Sequence, residues 1–132
     1  MLELTMASVA GAGADSATAG MLMADAPSEP GAVLRVGRDR NVCRLATPDD
    51  WLFVSRVHLE FRCGPDGAWT VFWLRGSHDE PSSEVRLTLT GGTPQYLVYG
   101  GAATLAPGAS GEVVVQDRSQ DRSVNVGFYH EI

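Results

Sequence analysis

Val57-His58-Leu59-Glu60-Phe61-Arg62-Cys63, then Gly64-Pro65-Asp66-Gly67, then Ala68-Trp69-Thr70-Val71-Phe72-Trp73-Leu74 is the stretch that decides the fold class. Val57, Leu59, Phe61 and Cys63 alternate with His58, Glu60 and Arg62, a period of two that belongs to a strand with one buried face. Pro65-Asp66-Gly67 supplies turn chemistry, and a second apolar and aromatic run follows it. Together they predict a β-hairpin.

The same reading extends outward. Ala32 to Val36 is a short apolar run, and further strands are expected at Glu84–Leu89, Gln95–Tyr99, Glu112–Gln116 and Ser123–Glu131. Toward the amino terminus, Leu2-Glu3-Leu4-Thr5-Met6-Ala7-Ser8-Val9 alternates well enough to predict a first strand over 2–9. Residues 10–31 are rich in Ala, Gly, Ser, Asp and Pro, and are expected to form a flexible loop. No window carries a strong 3.6-residue period. Many short strands divided by Gly and Pro predict an all-β sandwich of two antiparallel sheets, with functional loops at one end. A length of 132 residues suits one domain over 1–132, its main sandwich spanning 32–131.

Composition narrows the function. Apolar residues are 44% and charged residues 20% of the chain, as in a globular protein. No apolar run reaches the ~18 residues of a membrane span, and no secretory signal is evident. The net charge of -6 argues against nucleic acid, which needs a dense basic surface. The charge is uneven, however. Residues 35–62 hold six arginines (35, 38, 40, 44, 56, 62) against four acids (39, 49, 50, 60), a local +2, while the rest holds four against twelve, or -8. An anion site is therefore expected in 35–62. All ten basic residues are arginine, consistent with a GC-rich genome and also with bidentate grip on phosphate or carboxylate. Cys43 and Cys63 are sparse and fit two buried thiols in a reducing cytoplasm, with a disulfide between them as the alternative.

Enzymatic signatures are missing. There is no Gly-x-Ser-x-Gly elbow, and no lysine for a phosphate loop. His58, His78 and His130 lack metal-ligand spacing. Ser55 and His58 are three apart on extended chain, so their side chains should face opposite ways. These features predict a binding protein with no catalytic residues, metal or cofactor.

Three short motifs remain: Gly37-Arg38, Ser55-Arg56-Val57-His58 and Gly76-Ser77. In this order, and on an all-β background, the chain resembles the forkhead-associated (FHA) domain family over roughly residues 32–130, with 2–9 able to supply a first strand. Leu105-Ala106-Pro107-Gly108 is similar to the family's Leu-x-x-Gly-Asp turn. The resemblance implies a phosphothreonine-dependent interaction module in kinase signalling. Its partner would be a phosphothreonine-containing protein, with no role for nucleic acid or membrane. Arg38 and Ser55 would contact the phosphate, and Ser77 and His78 would stand beside them. Arg56 would lie near the peptide or serve structurally. His58 would brace the binding loops, while Gly37 would let the backbone turn and Gly76 would support the loop. A phosphothreonine carries about -1.5 to -2 charge and three strong acceptors, so converging arginine and hydroxyl donors suit it.

The chain departs from the family pattern on the peptide side. His78-Asp79-Glu80 stands where the family has Thr/Ser-Asn-Gly, and Val98-Tyr99-Gly100 corresponds to its Val-Asn-Gly turn. Two carboxylates near a dianion would weaken its binding unless they point away. The alternative reading is therefore an FHA-like scaffold that binds a protein partner, or itself, without phosphate.

Overall fold

A computed structural model of the chain describes residues 1–11 and 17–132, with side-chain surroundings for all of these except 17–20. Among the described residues eleven strands are formed: β1 (Leu2–Ala10), β2 (Ala17–Ala26), β3 (Val33–Gly37), β4 (Leu45–Ala46), β5 (Leu59–Cys63), β6 (Trp69–Trp73), β7 (Ser83–Leu89), β8 (Gln95–Tyr96), β9 (Ala102–Leu105), β10 (Ser110–Asp117) and β11 (Arg122–His130). They make a six-stranded sheet, β2-β1-β11-β10-β7-β8, and a five-stranded sheet, β4-β3-β5-β6-β9. Pairing is antiparallel except between β3 and the two-residue β4, where Val36 faces Leu45 and Gly37 faces Ala46 in parallel. No helix among the described residues is long and apolar enough to cross a membrane.

The alternating faces dictate the packing. Leu2, Leu4 and Met6 of β1 and Val124, Val126 and Phe128 of β11 point inward from one sheet. Leu34 and Val36 of β3, Leu59 and Phe61 of β5, and Trp69, Val71 and Trp73 of β6 meet them from the other. Trp51, Phe53 and Cys63 join the same core. Cys43 and Cys63 are buried free thiols. The β5–β6 hairpin closes at Gly67, whose φ of 81° lies in the left-handed region that favours glycine. The Ala68 amide donates to Asp66 Oδ1 there.

Several expectations need correction. The segment read as a flexible loop over 10–31 contains β2, which pairs with β1 from Leu2↔Ala26 to Ala10↔Ala17. Alanine and glycine carry little strand preference, so composition hid a strand that neighbouring β1 imposes. Ala24 and Ala26 face the core while Met21, Met23 and Asp25 face out. Residues 12–16 of that expected loop lie outside the described residues. The strand expected at Gln95–Tyr99 ends at Tyr96, because the chain from Leu97 to Gly101 leaves the six-stranded sheet and crosses to the five-stranded one to begin β9. The expected alternation of 57–63 holds for Leu59, Phe61 and Cys63, yet His58 and Glu60 are buried too. Glu60 lies on the outer face under Arg35, whose Nε donates to it at 2.9 Å, and under Arg62. Burial opposes its charge, but the two guanidinium groups outweigh that and hold its carboxyl below the usual range.

Candidate functional site

The loops after β3 and before β5 are laced together by their backbones. The Arg38 amide donates to Ser55 O at 3.2 Å and the Asp39 amide to Arg56 O at 3.0 Å, while the His58 amide donates to Val36 O at 2.8 Å. This close approach explains Gly37. A Cβ there would lie 2.2 Å from Arg56 O. The residue is glycine because another backbone occupies the space of a side chain, and not, as expected, because the chain must turn.

His58 sits behind these loops, 2% exposed. Its Nδ1 accepts the Ser55 backbone N–H at 2.9 Å. Nε2 therefore carries the ring hydrogen and faces Ser83 Oγ at 3.3 Å. The imidazole meets the Ser55 amide rather than its hydroxyl. Burial pushes its pKa down to about 4, so the ring is neutral at pH 7. Trp73 stacks on it at 6.0 Å, and Tyr99 packs against Trp73 at 5.2 Å.

Tyr99 fixes the third loop. Its hydroxyl accepts the Gly76 amide at 2.7 Å and donates to His78 O at 3.0 Å. The Arg75 guanidinium lies over its ring at 4.6 Å. At Gly76, a Cβ would come within 3.2 Å of Ser55 Oγ, so the bare backbone lets the loop close on Ser55.

These loops enclose an open cleft of about 500 Å³, lined by Arg38, Leu52, Ser55, Arg56, Val57, Gly76, Ser77 and His78. Every residue expected at a phosphopeptide site from the sequence (Arg38, Ser55, Arg56, Ser77 and His78) lines this one concavity. Gly76 lines it too, and Gly37 and His58 lie directly behind. No carboxylate is among the lining residues; Asp79 and Glu80 continue the same loop outside it. Arg38 is half-buried, and its Nε donates to Val54 O while Nη1 reaches Asp49 O at 3.5 Å. Two backbone carbonyls thus aim the guanidinium, and its remaining N–H groups are available to a ligand. Arg56 is exposed, and its carbonyl accepts both the Asp39 amide and the Cys43 thiol at 3.4 Å. The cleft therefore offers two arginines, hydroxyls and an imidazole from three braced loops, a donor set suited to a small dianion.

Sequence reasoning missed the carbonyls that orient Arg38, because backbone partners leave no trace in residue identity. It placed Tyr99 only as the counterpart of a family asparagine. An aromatic ring in a Val-x-Gly turn between two strand runs was the available signal for a packed hydroxyl.

No protein-family model matches the chain, and no curated protein matches it in sequence. Solved structures match it in fold. An engineered FHA with a Myc-pTBD peptide aligns with 96% of this chain and 91% of its own, at 15% identity and a TM-score of 0.57. The N-terminal FHA domain of S. cerevisiae Rad53p, in complex with a phosphothreonine peptide, aligns over 96% and 93%, at 14% identity and a TM-score of 0.59. The chain has the FHA fold.

Proposed function

We propose that the cleft binds phosphothreonine in a partner protein, which makes the chain a phosphothreonine-dependent interaction module of kinase signalling rather than an enzyme. In this reading Arg38 pairs with the phosphate and the Ser55 hydroxyl donates to it. Ser77 and His78 close over it from the third loop, and Arg56 meets the peptide beside it. Gly37, His58 and Gly76 keep the three loops at the spacing a phosphate needs. The convergence of Arg38, Ser55, Arg56, Ser77 and His78 on one cleft without a carboxylate in its lining carries the proposal. Its resemblance in fold to two FHA structures that hold peptides, one of them a phosphothreonine peptide, supports it further. Phosphate recognition by aimed arginine and hydroxyl donors needs no metal or cofactor.

The test is a calorimetric titration with a degenerate phosphothreonine peptide library, its unphosphorylated counterpart and the Arg38→Ala variant. Phosphate-dependent binding by the wild type, weakened by roughly thirtyfold or more in Arg38→Ala, is expected when one partner of a charge pair is removed. Equal binding of both libraries, or equal affinity in wild type and variant, would move the function to another surface.

A further inference from the structure

Arg122 lies on the other sheet from Arg38, at the start of β11, and is not among the residues that line the cleft. Its Nε and Nη2 donate to Asp117 Oδ2 at 3.1 and 2.9 Å. Asp117 closes the other end of the same β10–β11 turn, and its Oδ1 accepts the Ser119 amide and hydroxyl at 2.9 and 3.0 Å. Burial opposes the charge of this carboxylate, but the Ser119 amide and Arg122 overcome it, holding the group ionised below its usual range. While Nε and Nη2 bind Asp117, the guanidinium carbon lies over two aromatic rings, 5.4 Å from the centre of Trp51 and 5.2 Å from that of Phe53. Those rings lie 5.5 Å apart and are both buried.

Trp51 and Phe53 belong to the segment 48–55, which has almost no regular structure of its own. That segment supplies both carbonyls that aim Arg38, Asp49 O and Val54 O. It also places Leu52 in the cleft wall. The chain of contacts runs Asp117, Arg122, Trp51 and Phe53, Val54 O, Arg38. We infer that Arg122 and Asp117 are positioning residues for the phosphate-binding arginine, tying the two sheets together at the site end so that Arg38 is aimed before any ligand arrives.

The seat over two rings matters as much as the ion pair. Lysine at 122 keeps an ion pair with Asp117 but offers no flat face to two rings, so it would hold the turn and release the segment. The phosphate consequence rests on the proposed function; the aiming of Arg38 does not.

The test is therefore read in two ways. Nuclear magnetic resonance measures solvent exchange of the Arg38 Nε–H in the wild type, Arg122→Leu and Arg122→Lys, with backbone amide exchange in β5 and β10 as the control for global unfolding. Phosphothreonine peptide affinity is measured alongside. We expect the Arg38 Nε–H to exchange about tenfold faster in both variants while the β5 and β10 amides stay protected, and the peptide to bind about tenfold more weakly. Should Arg122→Leu fail to fold, Phe53→Leu removes one of the two rings beneath the guanidinium and leaves the ion pair, with the same expected direction. Unchanged Arg38 exchange in the folded variants would overturn the inference. Faster Arg38 exchange with no phosphopeptide binding by the wild type would uphold the clamp and refute the phosphothreonine reading alone.

Discussion

At the scale of single residues, two buried positions set what the loops can tolerate. His58 has its pKa lowered from 6.5 to about 4 by burial. The unfolded chain takes up a proton as pH falls through 6.5, whereas the folded chain resists until about 4. Its contribution to stability is therefore complete above pH 6.5 and is lost progressively between there and pH 4, by up to about 3 kcal/mol. Glu60 and Asp117, whose pKa values are lowered from 4.5 and 3.8, lose their contributions only at lower pH. Urea unfolding between pH 7.5 and 4.5 should therefore show a decline that His58→Asn flattens. A flat wild-type profile over that range would contradict the buried neutral ring. Gly37→Ala, with its Cβ 2.2 Å from Arg56 O, should cost about 2 kcal/mol or more, read from the urea midpoint.

At the scale of elements, the loops divide by how they are fastened. The β3 and β5 loops are joined backbone to backbone, but loop 76–78 hangs largely on one hydroxyl. Tyr99→Phe keeps the ring against Trp73 and removes both hydrogen bonds of that hydroxyl. It should lower stability by about 1 kcal/mol in thermal unfolding and weaken phosphopeptide binding several-fold. Undiminished affinity would mean that the loop is held by other contacts. Where an element's own side chains drive its formation, the sequence was legible: the β5–β6 hairpin and the alternating β1 could both be read directly. β2 could not, since its alanines acquire an inward face only through pairing with β1. Ala24→Asp tests that placement, since a carboxylate at this buried position should destabilise by about 2 kcal/mol or more in urea unfolding. The two-residue β4 and the Ala-rich β9 are too short or too bland to announce themselves, and their partners alone define them.

At the scale of the whole molecule, an acidic chain draws most of its arginine-lined cleft from the one arginine-rich segment. Of the residues lining that cleft, Arg38, Ser55 and Arg56 come from 35–62, and Ser77 and His78 arrive from a loop that the sandwich folds alongside. The lining residues could be named from sequence because motif spacing records which loops converge. His58 was named as a brace through the resemblance, but its partner Ser83, and Arg122 on Trp51 and Phe53, were not, because these contacts join segments distant in sequence with no local pattern. Binding of a dianion to a half-buried and an exposed arginine in an open cleft should weaken as salt rises, and a salt series of the phosphopeptide titration would show it. The most direct measurement is a nuclear magnetic resonance map of the labelled protein titrated with a phosphothreonine peptide pool and with the same pool dephosphorylated. The account predicts phosphate-dependent shifts at Arg38, Ser55, Arg56, Ser77 and His78. Shifts confined to another surface, or identical with both pools, would contradict it.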